Sequence, residues 1–174
     1  MFLWALCKNA ILFSLIGVSV AILGALLPDR LFEKDAFPYR SYAWEKGGRF
    51  YQKVFRVGKW KERLPDASRF VRYVFCKKRM QTLDAEYLSD FIRETRRAEL
   101  SHWFLICISP TFFLWNTSGW GVAMCLCGIF GNIPFIIAQR YNRPRLLRLL
   151  RSRRVAEGRT GHSVLPKSAV VAVQ

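Results

Sequence analysis

Histidine is scarce in this sequence: only two of the 174 residues are histidines, His102 and His162. Acidic residues are also few, with 12 Asp and Glu against 28 Lys and Arg, so the formal net charge is +16. The chain has no H-E-x-x-H pair, no G-x-S-x-G elbow, no glycine-rich phosphate loop and no cluster with metal-ligand spacing. Metallohydrolysis and hydride transfer therefore have no support, and we expect neither a bound metal nor a cofactor.

Charge is missing altogether from one long apolar run near the amino terminus. Residues 10–28 contain no charged side chain, and about 20 residues of helix suffice to cross the ~30 Å hydrocarbon core of a bilayer. We predict a membrane span over about residues 4–28. A cleaved signal peptide is the alternative, but its positive charge should precede the apolar run, whereas here Arg30, Lys34 and Arg40 follow it.

A second apolar region covers residues 103–138 and is interrupted near its middle by N-T-S-G at 116–119. We predict two further spans, over about residues 100–115 and 119–138, joined by a tight turn. Trp103, Trp115 and Trp120 would anchor them at the membrane interfaces. A re-entrant pair of helices is the alternative.

The distribution of basic residues predicts how the chain is oriented. Residues 29–102 contain 18 Lys and Arg against 11 Asp and Glu, and residues 139–174 contain nine against one. Because Lys- and Arg-rich segments next to spans stay in the cytoplasm, we expect the amino terminus outside and the main loop and carboxyl terminus in the cytoplasm.

The region between the first and second spans, residues 29–99, is predicted to be helical and to lie at the membrane interface. In its first half, aromatic side chains alternate with Lys and Arg at helical spacing, a pattern that suits anionic headgroups. Nucleic acid is a poor alternative because spans tether the segment and no RNA- or DNA-binding module is visible. The predicted fold is an all-α integral membrane protein with one membrane domain, residues 1–154. It ends in a basic juxtamembrane helix over 140–154, and residues 155–174 form a disordered tail.

His102 and Glu99 form the most chemically suggestive pair. They lie one helical turn apart where a charged segment enters an apolar one. The carboxylate is placed to orient the imidazole as a general base for deprotonating a hydroxyl. The structural alternative is an interfacial histidine, with Glu99 paired to Arg96 or Arg97. His162 lies in the tail and receives no role.

Three motifs carry a resemblance to a known family: Y-A-W-E-K-G-G-R-F-Y-Q-K-V-F-R-V-G-K-W-K-E-R-L-P-D, F-I-R-E-T-R-R-A-E-L-S-H-W and Y-N-R-P-R-L-L-R. The chain resembles the glycosyl-4,4'-diaponeurosporenoate acyltransferase family, small membrane proteins of bacterial carotenoid glycolipid synthesis, over roughly residues 1–150. The resemblance implies a membrane-bound O-acyltransferase type of enzyme in the bacterial cell membrane. It would transfer a fatty acyl group from an acyl-CoA or acyl-carrier thioester to a sugar hydroxyl of a glycolipid.

Site roles follow from combining the resemblance with the residues. We expect His102 to be the base, Glu99 to orient it, and Arg143 or a loop lysine to stabilise the oxyanion. The full predicted set is Glu94, Glu99 and His102 for catalysis, and Lys53, Lys59, Lys61, Asn142, Arg143 and Arg145 for substrate binding. The alternative is a protein without enzymatic activity that binds anionic lipid or a partner through its basic face. The acceptor, the acyl length and the oligomeric state are not specified by the sequence.

Overall fold

The computed structural model of the chain describes residues 2–64 and 85–163. This part is helical and contains no β-strand, which confirms the predicted all-α class. Its α-helices are α1 (Phe2–Leu26), α2 (Arg49–Phe55), α3 (Ala85–Ile108) and α4 (Ser118–Ser163). Short 3-10 helices occupy Asp29–Phe32, Ala43–Gly48, Val57–Lys59, Lys61–Arg63 and Ser109–Leu114.

Two of these helices, α1 and α4, are long and apolar enough to cross a membrane, judged by length and composition. In α1, Leu3, Leu15 and Leu26 are 72%, 59% and 75% exposed. A helix that leaves so much apolar surface uncovered is unsuited to water and suited to lipid. The two helices therefore favour membrane association.

The predicted second span, residues 100–115, is not a separate helix. It begins within α3, which ends at Ile108, and continues as the 3-10 helix Ser109–Leu114. The change occurs at Pro110, which has no backbone N–H to donate to the preceding turn. The hydroxyl of Ser109 instead donates to the carbonyl of Ile106 at 2.8 Å. The three-span arrangement and the interfacial position of the loop stay predictions.

Helix α4 joins elements that the sequence predicted as separate. The third predicted span (119–138) and the basic helix (140–154) form one helix despite Pro134 and Pro144. The helix also continues to Ser163, so the first nine residues of the predicted disordered tail are helical. Glu157 contributes to this extension, because its carboxylate accepts the backbone N–H of Ala85 at 3.1 Å and so caps α3. Residues 164–174 lie outside the described part.

Helices α3 and α4 run antiparallel and form the centre of the fold. At their basic end, Leu88 and Ile92 of α3 pack against Leu150 of α4. At the other end a Cβ on Gly128 would lie 2.4 Å from the Cβ of Ser109. Only glycine permits this approach, and small residues at such crossings are typical of membrane helices.

Helix α1 is attached to α3 near one end and to the connection after α3 near the other. Asn9 is wholly buried and exchanges two amide hydrogen bonds of 3.0 Å with Asn116, in the connection between α3 and α4. Near the other end, Gly24 lies against Ser101 of α3. The Asn pair satisfies two amides that would otherwise be buried in apolar surroundings.

The segment around α2 packs on the basic half of α4. Tyr51 and Val57 form a small core with Tyr141. Gly48 makes this contact possible, because its φ is +88° and a Cβ there would lie 2.9 Å from the carbonyl oxygen of Tyr141. On the α3 side, Arg96 donates to the carbonyls of Phe32 and Glu33 at 2.7 and 2.8 Å. Residues 32–60 are thereby held across one flank of the α3–α4 pair.

Candidate active site

The carboxylate of Glu99 is the centre of a buried polar network between α3 and α4. Its side chain is fully buried, and it reaches two arginines of α4. Arg143 Nη2 donates to Oε2 at 2.5 Å and Arg140 Nε donates to Oε1 at 2.7 Å. Trp103 Nε1 also donates to Oε1, at 3.3 Å. A buried carboxylate that accepts from two guanidiniums and an indole N–H is fixed in position.

Arg140 extends the network to the segment that covers the helices. Its Nη1 donates to Oε1 of Glu45 at 2.5 Å, and its Nη2 donates to the carbonyl of Pro38. The same carboxylate oxygen of Glu45 accepts the Tyr51 hydroxyl at 2.8 Å. Glu45 is 2% exposed, so an ion pair between distant parts of the chain is closed off from solvent.

The hydroxyl of Tyr51 keeps its proton across the physiological range. Burial, followed by the hydrogen bond to the carboxylate of Glu45, raises the pKa of Tyr51 well above its ordinary value. Tyr51 is therefore suited to donate a hydrogen bond and unsuited to act as a base.

The guanidinium of Arg143 is buried and engaged in hydrogen bonds within the protein. It is 1% exposed, and besides Glu99 it donates to the carbonyl of Tyr39 at 2.8 Å and to Thr95 through both its carbonyl and its hydroxyl, at 3.2 and 3.3 Å. Four hydrogen bonds use most of the five N–H groups of a guanidinium. The Arg143 guanidinium, which was predicted to bind a phosphate or an oxyanion, thus donates mainly to acceptors within the protein.

An apolar cavity of about 680 Å³ lies beside this network, under the 37–51 segment. Its size is that of a small-molecule site. Its walls come from three parts of the chain: Phe37, Pro38, Tyr42, Trp44 and Tyr51 from the covering segment; Leu100, Trp103, Phe104 and Cys107 from α3; and Ile133, Ile136, Ile137 and Arg140 from α4. Arg140 is the charged residue among these walls.

His102 is held by a residue that the sequence analysis did not consider. Its Nδ1 lies 2.8 Å from Oδ1 of Asn132, and its ring stacks on Phe135 with a centroid distance of 4.6 Å. The amide nitrogen of Asn132 donates to the carbonyl of Gly128 at 2.7 Å, which assigns Oδ1 to the histidine side. Nδ1 is then the protonated nitrogen and Nε2 carries the basic lone pair.

The ring does not point into the cavity. Of the described residues, those that line the cavity do not include His102. With about 100° between successive helical residues, His102 projects ~150° away from the mean direction of the α3 wall residues. The structure therefore brings His102 together with Asn132, and Glu99 together with Arg140 and Arg143. The proposed orientation of His102 by Glu99 stays a prediction.

The remaining predicted residues lie apart from the network. Glu94 is exposed on α3 and forms an ion pair with Arg97. Lys53 and Lys59 are exposed. Lys61 donates to the side-chain oxygen of Asn142 at 3.0 Å. The guanidinium of Arg145 lies 4.1 Å from the ring centroid of Tyr141. His162 lies near the end of α4, and no potential metal cluster is found in the part of the chain that the structure describes.

Sequence reasoning missed Glu45, Tyr51, Asn132 and Arg140 as site residues. Two of them carried a usable signal: Asn132 is an amide inside an apolar run, and Arg140 is the first cation after that run. Polar groups in such positions need partners and are often functional. Glu45 and Tyr51 carried no comparable signal, because their importance depends on the contact of Glu45 with Arg140 of α4, 95 residues away in the chain.

A family model described as glycosyl-4,4'-diaponeurosporenoate acyltransferase matches residues 35–152. A protein of that name from Staphylococcus aureus (strain bovine RF122 / ET3-1) is 35% identical over 139 residues, which cover 79% of this chain and 82% of the relative. Those of strains MRSA252 and N315 are 35% and 34% identical over 140 and 139 residues, with the same coverage. No solved structure matches the chain. The matched range contains the whole Glu45–Arg140–Glu99–Arg143 network.

Proposed function

Because the chain belongs to the glycosyl-4,4'-diaponeurosporenoate acyltransferase family, it is an acyltransferase, and we propose that it acylates a sugar hydroxyl of a carotenoid glycolipid. The donor in this proposal is a fatty acyl thioester, carried by coenzyme A or by a carrier protein. Family membership decides against the alternative of a lipid-binding protein without enzymatic activity.

One observation carries the proposed location of the reaction: the apolar cavity ends at a fixed guanidinium. Arg140 holds its place through Glu99 and Glu45, and it is the charged residue of the cavity walls. Acyl transfer from a thioester develops negative charge on the carbonyl oxygen, and a pre-positioned donor in an apolar site stabilises that charge strongly. We therefore place the reacting carbonyl beside Arg140, with the hydrocarbon parts in the cavity and the surrounding lipid.

The membrane arrangement in this proposal puts that end of the cavity on the cytoplasmic side. Basic residues concentrate in the segment after α1 and in the second half of α4. Such segments favour the cytoplasm, where acyl thioesters are available. Lys53 of α2 and Lys59 of the 3-10 helix that follows are exposed, and we assign them to the phosphates of the donor.

The base role that the sequence suggested for His102 is the alternative to a structural role, and it has its own geometric requirement. Its support is chemical: the Asn132 hydrogen bond leaves the basic lone pair on Nε2. The requirement is that the acceptor hydroxyl reach the flank of α3 that faces away from the cavity. If His102 instead serves only to hold α3 and α4 together, the acceptor hydroxyl does not need to reach it. Because we place the reaction at the cavity, we favour this structural role, a clamp between the two helices.

The test is acyl transfer by purified protein in lipid nanodiscs, with radiolabelled acyl-CoA and a glycosylated carotenoid acid as acceptor. We expect Arg140→Lys, which keeps the charge and loses the fork of donors, to lower kcat by about 10²- to 10³-fold. Arg148→Lys, an exposed position on the same helix, is the matched control and should transfer normally. Full activity of a folded Arg140→Lys protein would remove Arg140 from the reaction.

A further inference from the structure

The cavity has a defined depth as well as a polar end. On α4 its wall runs from Arg140 through Ile137 and Ile136 to Ile133, two helical turns or about 10 Å further into the apolar part of the helix. On α3, which runs in the opposite direction, Cys107 lies at the deep end and Leu100 at the polar end. The cavity is thus an apolar slot, about two turns deep, closed on one side by aromatic residues.

The guanidinium at the mouth of the slot has donors to spare. A guanidinium carries five N–H groups. In the described part of the chain, three hydrogen bonds of Arg140 are made, to Glu99, Glu45 and the carbonyl of Pro38. The two remaining N–H groups belong to a side chain that lines the cavity. The chemistry of such a site matches a molecule with a long apolar part and a single oxygen acceptor at one end.

We propose that this slot is the binding site for the fatty acyl chain of the donor, with the thioester carbonyl hydrogen-bonded to Arg140. The assignment rests on the proposed function, which supplies the two hydrocarbon substrates between which the slot must choose. A flexible acyl chain fits a short slot by bending and by leaving sideways into lipid. The conjugated polyene of the acceptor is stiff and long, so a slot about 10 Å deep does not hold it; the polyene remains in the surrounding bilayer.

A cysteine in the wall of the slot permits a test on the unmodified protein. Cys107 lines the cavity, whereas Cys7 and Cys127 lie at the protein surface outside it. The protein in nanodiscs is treated with an N-alkyl maleimide, with and without palmitoyl-CoA, and the alkylation rate of each cysteine is followed by peptide mass spectrometry. No acceptor is added, so the donor is not consumed by transfer.

The expected result is selective protection. At a donor concentration ten times its Kd about nine-tenths of the sites are filled, so alkylation of Cys107 should slow by about tenfold. Cys127 and Cys7 should react at unchanged rates, and coenzyme A without an acyl chain should protect nothing. Equal rates at Cys107 with and without palmitoyl-CoA would overturn the assignment. Protection by the carotenoid glycoside and not by palmitoyl-CoA would also overturn it, because the slot would then belong to the acceptor.

A variant adds a readout that a loss of folding does not imitate. Cys107→Trp fills the deep end of the slot, so we expect the preferred donor to become shorter, with transfer from a short acyl-CoA retained. Cys127→Trp, at an exposed position on α4, should leave the preference unchanged. Protection with no transfer to any glycolipid would refute the proposed function and keep the acyl site. Transfer with an unchanged chain preference in Cys107→Trp would refute the acyl site and keep the proposed function.

Discussion

Arg140 Nε lies 2.7 Å from Oε1 of Glu99, a contact between helices whose residues are 41 positions apart. The same guanidinium contacts Glu45, and the same carboxylate contacts Arg143. Two carboxylates and two guanidiniums therefore alternate across the α3–α4 interface and into the covering segment. In lipid or in a protein interior such charges persist only when all are paired. The network thus fixes the covering segment to the helices and, with it, the shape of the cavity.

Replacing Glu99 should destabilise the protein more than any other single change in the network. Glu99→Gln removes the negative charge between two buried arginines, and breaking a buried ion pair costs about 3–5 kcal/mol. We expect a large fall in the midpoint of thermal unfolding, measured on detergent-solubilised protein by tryptophan fluorescence.

The control for Glu99→Gln is a second glutamate on the same helix. Half of the Glu94 side chain is exposed where it pairs with Arg97, so Glu94→Gln should change stability by less than about 1 kcal/mol. Equal destabilisation by the two substitutions would show that the network does not hold the fold. A selective loss of activity in Glu94→Gln would support the catalytic role that the sequence predicts for it.

Tyr51 should make stability depend on pH in the alkaline range. Its pKa is raised in the folded protein, so its contribution is complete below the unfolded value of about 10 and is lost as the pH rises above that value. We expect the free energy of unfolding to fall more steeply between pH 9.5 and 11 in the native protein than in Tyr51→Phe. Identical pH profiles would mean that folding does not raise the pKa of Tyr51.

Local sequence patterns predicted much of the helical structure. The absence of charge and the length of the first apolar run indicated α1. Helix α2 begins at Arg49, directly after Gly47 and Gly48, which weaken any helix that runs through them. The continuity of α4 was not predicted, because the polar residues after 138 suggested a separate element. A single α-helix can contain an apolar half followed by a polar half, provided that its backbone hydrogen bonds continue.

The site was predicted only where partners are close in sequence. Glu99 was recognised as unusual, but the candidates for its partner were His102, Arg96 and Arg97, all within one turn. Its actual partners, Arg140 and Arg143, come from another helix at a register that the sequence does not specify. The same limit applies to His102, whose partner Asn132 is 30 residues away. Interhelical packing decides these pairs, and packing is a property of the assembled fold.

Substitution of His102 separates the clamp role from the base role. We expect His102→Gln to retain transfer within about tenfold and to lose roughly 0.6–1.7 kcal/mol of stability, the range for hydrogen bonds between membrane helices. Asn132→Ala should lose a similar amount, and the double substitution should be less than additive because both remove one contact. A general base would give the opposite pattern, with stability kept and kcat lowered by about 10²- to 10⁴-fold.

The basic residues of the loop should act on donor binding and leave the chemical step unchanged. Lys53 and Lys59 are exposed on the α2 segment, whereas Lys61 is engaged with Asn142 and Arg143 is buried. A lysine near a phosphate group contributes about 1 kcal/mol, so the double substitution Lys53→Gln, Lys59→Gln should raise KM for acyl-CoA by about tenfold or more. Its kcat should be unchanged, because phosphate contacts are the same in the ground and transition states.

Raising the salt concentration should weaken donor binding to the native protein more than to the variant, since screening acts on charges that the variant has lost. Arg153→Gln, Arg154→Gln, at exposed positions on the last turns of α4, removes the same net charge far from α2. If that control raised KM equally, the effect would come from general attraction to a positive protein, and Lys53 and Lys59 would have no specific role.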